Sequence, residues 1–377
     1  MTLTKFTRIA HIAKMTSVAG MERHLLFLLP GLHGQGLDVH LFVLVEPNKP
    51  LAAYCSQMSF LGVPVEQIPI RRDLDPGLIG RLARKLRDGG FDAVHTHLIH
   101  ADLHGVAAAK LAGVRHIYSS AHNDDSFRRR WPIRLMQAEL WRQVQGGIAI
   151  SEALRHFLIE VEFAPPARIH TVHYGLDPAS VDGNPAGNPG SAQASLRERL
   201  GLPTNTHVVG SVCRLTRQKG VTYALQALQR LPDVHYAIVG DGPLRNTLEN
   251  EARTLGIAGR VHFLGWRDNA ASLLTAFDVL LMPSLWEGFG LIALEAMAAH
   301  LPIIASRVSA LPEIVMDGQT GGLVPPADPT ALREALSNVL ADSQQRQAMG
   351  QAGYRRLREA FSVQRMVEAT LKVYNNL

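Results

Sequence analysis

Two glutamates with seven residues between them, Glu287 and Glu295, mark the part of the sequence with the clearest chemistry. They flank a glycine-containing turn, 288–290, which follows the apolar segment 277–283 and precedes the apolar segment 291–298. The first segment is typical of a strand and the second of a buried helix. Glycines let the backbone approach a ligand closely, and the N–H groups of a first helical turn attract an anion. We therefore expect a phosphate-binding turn here.

A second charged group follows another apolar segment, 208–212, which we interpret as a strand. Arg214 and Lys219 lie five positions apart in the loop after it, and open α/β sheets bind ligands at the carboxyl ends of their strands. An arginine can donate hydrogen bonds to two phosphate oxygens at once, and a lysine supplies a point charge. The pair therefore suits a diphosphate. Arg217, which lies between them, is interpreted as a surface charge.

These segments resemble the glutamate-x7-glutamate signature of retaining, nucleotide-sugar-dependent glycosyltransferases of family 4. The resemblance extends over nearly the whole chain, because several segments match in the family's order. It implies the GT-B fold, an α/β architecture of two facing Rossmann-like domains with parallel sheets, in which a C-terminal helix crosses back to the first domain. It also implies a sugar donor activated as a nucleoside diphosphate, such as a UDP-sugar or GDP-sugar.

The resemblance assigns roles to individual residues. Arg214 and Lys219 would meet the charge of the leaving diphosphate, Glu287 and His122 would hold sugar hydroxyls, and Glu295 would accept hydrogen bonds from the ribose. The catalytic set is thus His122, Glu287, Arg214 and Lys219. The remaining donor-binding positions are Gly20, Gly288, Phe289, Gly290, Leu291, Gly242, Trp266 and Arg267.

The sequence departs from the family pattern at four places. Ala19 replaces the first glycine of the glycine-glycine-x-glutamate turn that Gly20 and Glu22 retain. The other departures are His300 for a glycine, Ser309-Ala310 for a glycine pair, and Tyr174 for a frequent asparagine. They bear on the shapes of single loops and not on the fold.

Length and pattern predict the domain organisation. A chain of 377 residues is too long for one ordinary core, and strand-like and helix-like segments alternate throughout. The segment 182–191 is rich in Gly, Pro, Asn and Ser and reads as a linker. We therefore predict an acceptor domain at 1–190, a donor domain at 191–360, and a terminal helix, 361–377, on the first domain.

Histidines raise the alternative of a metal site. His95, His97, His100 and His104 lie close together, and the first two would point to one side of a strand end. The group lacks a carboxylate or cysteine to complete it, so we expect no metal and no cofactor. Asp73-Leu74-Asp75 superficially matches a metal-binding motif of another glycosyltransferase fold, but no phosphate-binding segment accompanies it.

Other classes of protein remain as alternatives. A dinucleotide-dependent dehydrogenase is disfavoured because no Gly-x-Gly-x-x-Gly follows the first strand. A sugar phosphorylase would need a pyridoxal-binding lysine, and no segment of the sequence indicates one. A nucleotide-sugar epimerase or a non-catalytic sugar-binding protein could share the fold.

Charge suggests where the protein works. The net charge is +5, and a basic, aromatic stretch runs from Arg128 through Trp131 to Arg142. Such a stretch suits an anionic membrane surface, although a solvated basic face is an equal interpretation. No apolar run reaches the roughly 18 residues of a membrane span. We expect a cytoplasmic protein, peripheral on the inner membrane, with a saccharide or lipid-linked acceptor of envelope polysaccharide, lipopolysaccharide or glycolipid synthesis and no nucleic-acid partner.

Overall fold

The structure is a computed structural model that describes residues 5–47, 51–72, 74–181 and 189–375. It divides into two compact units. The first consists of Met1–Gly175 together with Ser362–Leu377, and the second of Leu176–Phe361. The division lies upstream of the boundary predicted near residue 190. Most of the predicted linker, residues 182–188, lies outside the described residues.

Each unit is built on one parallel sheet. The first sheet has seven strands in the order β3-β2-β1-β4-β5-β6-β7, and the second has six in the order β10-β9-β8-β11-β12-β13. The strands are β1 (Arg8–Lys14), β2 (Asp38–Val45), β3 (Val65–Pro69), β4 (Ala93–His97), β5 (His116–Ala121), β6 (Gly146–Ala149), β7 (Ile169–Thr171), β8 (His207–Val212), β9 (Val234–Val239), β10 (Val261–Gly265), β11 (Val279–Met282), β12 (Ile303–Ser306) and β13 (Gly321–Val324).

Helices connect the strands, as parallel pairing requires. They are α1 (Gly20–Gly34), α2 (Ala52–Phe60), α3 (Pro76–Asp88), α4 (Ile99–Ala101), α5 (Ala107–Ala112), α6 (Trp131–Gln143), α7 (Glu152–Glu160), α8 (Pro189–Leu200), α9 (Val221–Leu228), α10 (Arg245–Thr254), α11 (Leu291–Ala298), α12 (Leu311–Ile314), α13 (Pro329–Ala341), α14 (Ser343–Ala360) and α15 (Val363–Asn375). A π-helical turn, Asp102–Val106, joins α4 to α5.

Short polar side chains precede several of these helices and cap their first turns. Asp75 precedes α3 and accepts a hydrogen bond from the N–H of Leu78, and Ser151 does the same for α7. Such caps satisfy N–H groups that have no partner inside the helix. The apolar sides of the helices then cover the strands, which form a separate core in each unit.

The terminal helix α15 belongs to the first unit, as the resemblance implied. Its buried residues, among them Val367 and Tyr374, pack with α1 and the first sheet. A methyl group added at Gly31 of α1 would come within 2.5 Å of Val367 Cγ2, which shows how closely the two helices approach. In the part of the chain that is described, no helix is long and apolar enough to cross a bilayer.

Candidate active site

The glycine-containing turn lies where the sequence predicts it, between a strand and a helix. β11 ends at Met282, and α11 begins at Leu291 after Gly290. Gly290 has φ +91°, a left-handed conformation that glycine adopts without a Cβ penalty. A Cβ there would also lie 3.0 Å from Met282 Cε and 3.1 Å from a Leu311 methyl carbon. The turn therefore needs glycine for its conformation, and a Cβ would also be tightly packed.

Glu287 is held from three sides. Its Oε2 lies 2.6 Å from Lys219 Nζ and accepts a hydrogen bond from Ser284 Oγ at 3.2 Å. Its backbone N–H donates to Ser309 Oγ at 3.1 Å. The Glu287 residue is only 7% exposed, so its carboxylate has a fixed direction and a fixed cation beside it.

Lys219 keeps its charge in this setting. Burial disfavours the ammonium form, but the charge and hydrogen bond of Glu287 outweigh burial and raise the pKa of Lys219. For the nearby Cys213 thiol, by contrast, burial itself raises the pKa, to about 11, so Cys213 stays a neutral thiol at physiological pH. The site thus contains a lysine that is cationic at any physiological pH.

Two loops are locked together around this pair. The N–H of Leu285 donates to the Gln218 carbonyl at 2.7 Å, and Gln218 Nε2 donates to the Trp286 carbonyl at 3.1 Å. Gly220 has φ +60°, and a Cβ there would lie 2.0 Å from the Pro283 carbonyl oxygen. The close contact of the loops after β8 and β11 therefore places Lys219 against Glu287.

The strand order shows why this position suits a ligand. In the second sheet β8 lies between β9 and β11, so the chain proceeds outward in one direction through β9 and β10 and in the other through β12 and β13. Open α/β sheets bind ligands at the carboxyl ends of the two strands where the order reverses. Lys219 follows β8 and Glu287 follows β11, so the pair flanks that point.

Other predicted donor-binding residues lie along the same edge of the sheet. Arg214 is exposed in the loop after β8, and Trp266 and Arg267 are exposed after β10. Gly242 follows β9, and a Cβ there would lie 2.5 Å from the Leu215 carbonyl oxygen. Because carboxyl ends of parallel strands share one edge, the structure brings these residues to the side that carries Lys219 and Glu287.

Glu295 is fully buried in α11. Its carboxylate has no exposed surface from which to bind the hydroxyls of a ribose, so the structure does not present the contact that the sequence predicts. Contact with the ribose stays a prediction for the donor-bound protein.

The first unit presents Gly20 openly and His122 in a buried position. Gly20 is exposed at the start of α1, and a Cβ there would meet nothing within 4 Å. His122 Nε2 lies 3.0 Å from His97 Nδ1, and its Nδ1 lies 2.6 Å from the Tyr174 hydroxyl. Both ring nitrogens therefore have partners inside the unit, which differs from the imidazole open to a sugar hydroxyl that the sequence predicts.

The histidine group differs in membership from the one considered from sequence. His95 and His97 do share a face, with ring centroids 4.5 Å apart. His104 instead accepts from the N–H of Asp75 and bonds the His100 carbonyl, so it supports local backbone. Asp73 lies outside the described residues.

The residue missed by sequence reasoning is His11. It lies on β1 directly beside His95, and its Nδ1 is 2.9 Å from His97 Nε2. Parallel pairing of the first strand with the strand that contains His95 and His97 is the signal that would have found it, because in-register neighbours point to one face of a sheet.

The arginines of the basic stretch differ in burial. Arg128 is 3% exposed and forms an ion pair with the fully buried Glu162, with Nε 2.7 Å from Oε1 and Nη2 2.9 Å from Oε2. Arg129 and Arg130 are exposed next to Trp131. The prediction that all three arginines form a surface was therefore wrong for Arg128, whose planar guanidinium suits a paired buried carboxylate.

The chain matches two family models and several named relatives. A model described as Glycosyltransferase Family 4 matches residues 18–180, and one described as Glycosyl transferases group 1 matches residues 192–356. The UDP-Gal:alpha-D-GlcNAc-diphosphoundecaprenol alpha-1,3-galactosyltransferase of Escherichia coli is 29% identical over 353 residues, which are 89% of this chain and 88% of that protein. The D-inositol 3-phosphate glycosyltransferase of Mycolicibacterium vanbaalenii is 31% identical over 359 residues, with 85% of this chain and 78% of that protein covered.

The fold has close neighbours among solved structures. Anabaena HepE in complex with UDP and glucose aligns with a TM-score of 0.85 at 21% sequence identity. The alignment covers 98% of this chain and 100% of that chain. It confirms the predicted architecture of two Rossmann-like units with parallel sheets.

Proposed function

Because the chain belongs to glycosyltransferase family 4 and has the GT-B fold, we propose that it transfers a sugar from a nucleoside-diphosphate donor to a saccharide or lipid-linked acceptor, with retention and without a metal ion. The chain is a glycosyltransferase. The stereochemistry, the metal independence, the donor and the acceptor are the proposal.

One observation supports the donor site above all others. A cationic Lys219 lies 2.6 Å from Glu287 at the point where the strand order of the second sheet reverses. A lysine has three N–H donors, so it can keep Glu287 while it also donates to a phosphate oxygen. Arg214 on the same edge supplies a second cation, and the N–H groups of Phe289, Gly290 and Leu291 add partial positive charge.

These groups define what the site does in the reaction. As the bond from the anomeric carbon to the diphosphate breaks, negative charge grows on the leaving group and positive charge grows on the sugar. Fixed donors that are aimed at the growing negative charge stabilise that transition state without having to reorganise. Two cations and three amides supply the charge that a divalent ion would otherwise supply, which is the basis of the proposed metal independence.

Retention follows if the acceptor attacks from the face that the diphosphate leaves. A phosphate oxygen of the leaving group then lies beside the acceptor hydroxyl and takes its proton, while Glu287 holds sugar hydroxyls. No side chain is required as a covalent nucleophile. The second unit thus supplies the donor site, and the first unit supplies the acceptor site near Gly20.

A relative supports the acceptor class. The Escherichia coli protein that is 29% identical acts, by its name, on GlcNAc-diphosphoundecaprenol, which is a lipid-linked sugar. An acceptor of that kind lies in a membrane, so the enzyme that uses it benefits from a membrane-binding surface.

The first unit has such a surface at the start of α6. We call it the Trp131 patch, and it contains Phe127, Arg129, Arg130, Trp131 and Leu135. Trp131 is 71% exposed, Leu135 55% and Phe127 40%, while both arginines are exposed. Apolar and aromatic side chains flanked by cations favour the interface of an anionic bilayer. We propose that this patch rests on the membrane that holds the acceptor.

A donor panel tests the proposed reaction. Purified protein with EDTA and an extract of lipid-linked acceptors should release nucleoside diphosphate from one member of a panel of UDP-, GDP- and ADP-sugars. An epimerase would convert the sugar without releasing the diphosphate, and a binding protein would give a thermal shift without turnover. Complete loss of activity in EDTA, restored by a divalent ion, would contradict the metal independence.

A further inference from the structure

Three histidines of the first unit gather on one face of the sheet. His95 and His97 alternate on β4, and His11 lies in register with His95 on the neighbouring β1. Residues at i and i+2 of a strand, and in-register residues of parallel neighbours, point to the same side. The three ring centroids are therefore only 4.5 to 5.2 Å apart, and all three side chains are fully buried.

The nitrogen atoms of these rings converge. One ligand atom from each of His11, His95 and His97 lies within 4.8 Å of the other two. His11 Nδ1 and His97 Nε2 are already 2.9 Å apart. Two nitrogens bound to one tetrahedral ion at about 2.0–2.1 Å lie roughly 3.3 Å apart, so the His11–His97 spacing is already close to that of a ligand pair, and the His95 nitrogen must move closer when an ion binds.

One atom of the group is a buried polar atom with no hydrogen-bond partner in the described structure. It is Nε2 of His11. An ion bound through Nε2 would give this atom a partner, whereas an ion bound through Nδ1 leaves Nε2 to carry the ring's proton. The neighbouring His24 has a second such atom, Nδ1, although His24 is not among the three converging residues.

The outer nitrogens of two of the rings already have hydrogen-bond partners. His97 Nδ1 lies 3.0 Å from His122 Nε2, and His95 Nδ1 lies 2.7 Å from the Tyr374 hydroxyl. Partners of this kind fix the tautomer and the ring orientation of a metal ligand. His95 Nε2 now contacts Ser120 Oγ at 2.7 Å, and that contact would be exchanged for the ion.

The residue types also fit, because an imidazole nitrogen with a free lone pair can bind a metal. Three histidines with a water in the fourth position are an established zinc ligand set.

We propose that His11, His95 and His97 form a binding site for one borderline transition-metal ion such as Zn²⁺ or Co²⁺, separate from the donor site of the second unit. The ion would stabilise the first unit. Glycosyl transfer does not require this ion. A negative result for the metal site therefore does not count against the proposed function, and a negative result for the function does not count against the metal site.

Cobalt binding tests the site directly. Protein made without a histidine tag and stripped of metal is titrated with Co²⁺ while visible absorption and melting temperature are recorded. We expect one equivalent to bind with the intense visible bands of a four-coordinate nitrogen site and to raise the melting temperature, because the ion binds only the folded protein.

Two variants make the assignment specific. His11→Gln, checked for folding by circular dichroism, should bind Co²⁺ at least tenfold more weakly. His235→Gln is the matched control, because His235 lies 3.0 Å from His262 in another histidine pair, in the second unit, and should bind like the wild type. A wild-type protein with only the weak bands of six-coordinate surface cobalt overturns the proposal even if His11→Gln does not fold. Equal affinity of the wild type and His11→Gln also overturns it.

Discussion

At the scale of single residues, the proposed chemistry depends on two cations, Lys219 and Arg214, which have different surroundings. Lys219 is fixed by Glu287, whereas Arg214 is exposed. The sequence predicts both cations from their spacing after a strand. It does not predict that Lys219 pairs with Glu287, because the two residues lie 68 positions apart and meet only through the packing of two loops.

Replacing Arg214 by Ala should lower kcat about 10²–10³-fold, as the loss of one charge-stabilising group does in other active sites. The melting temperature should hardly change because the side chain is exposed. Steady-state kinetics with the donor identified in the panel provide the measurement. Arg217→Ala is the control, since Arg217 is an exposed cation of the same loop and should leave kcat within about twofold. Equal losses in the two variants would show that only the net charge of the loop matters.

Two departures from the family pattern can be explained by the conformation of single residues. Ser309 and His300 stand where the resemblance expects glycine, and both have positive φ, +46° and +54°. Ser309 uses its hydroxyl to accept the N–H of Glu287. The glycine is thus replaced at a position that still has the glycine conformation, and the replacement supplies a contact that sequence reasoning could not foresee.

At the scale of elements, the site depends on the contact between the loops after β8 and β11. Gly220 is the residue of closest approach, with a left-handed conformation and no room for a Cβ beside the Pro283 carbonyl. Any side chain there pushes the two loops apart and separates Lys219 from Glu287.

Gly220→Ala should therefore impair both stability and donor binding. A left-handed non-glycine residue alone costs about 1–2 kcal/mol, and the steric conflict with Pro283 adds to it. Gly256→Ala is the matched control, because Gly256 has φ +72° but a Cβ there meets nothing within 4 Å. Chemical denaturation and nucleoside-diphosphate titration should show a larger loss of stability, and a loss of affinity, only in Gly220→Ala. Identical results for the two variants would rule out the loop contact as the cause.

The elements were predictable to different degrees. The segment 291–298 was predicted as a helix and coincides with α11, because its apolar residues are continuous and a glycine precedes it. β3 and β13, which lie at the edges of their sheets, are harder to recognise from the sequence. β3 contains Glu66 and Gln67 and ends in Pro69, and β13 begins with two glycines, so neither has the apolar pattern of a central strand.

At the scale of the whole molecule, the paired domain architecture and the edge of the second sheet that carries the site were predictable from alternation and from the carboxyl ends of strands. The histidine group was not, because it depends on which strands are neighbours. The burial of Arg128 was not predictable either, since the Arg128–Glu162 pair joins residues 34 positions apart.

The Trp131 patch should bind membranes through its apolar and basic residues together. The double variant Trp131→Ser/Leu135→Ser should reduce sedimentation with phosphatidylglycerol vesicles, and added salt should weaken the wild-type binding because the arginines contribute through screened charges. Phe60→Ser is the control, since Phe60 is 91% exposed but lies outside the patch. Wild-type sedimentation by the double variant would show that the patch is merely a solvated face.

The stereochemistry of the product distinguishes retention from inversion. Proton NMR of the new anomeric centre is recorded during transfer from an α-configured nucleoside-diphosphate sugar. We expect an α-glycoside, formed at the same rate as the nucleoside diphosphate, because the diphosphate leaves and the acceptor attacks on one face of the sugar. A β-glycoside would contradict this expectation, since inversion requires the acceptor to attack the opposite face.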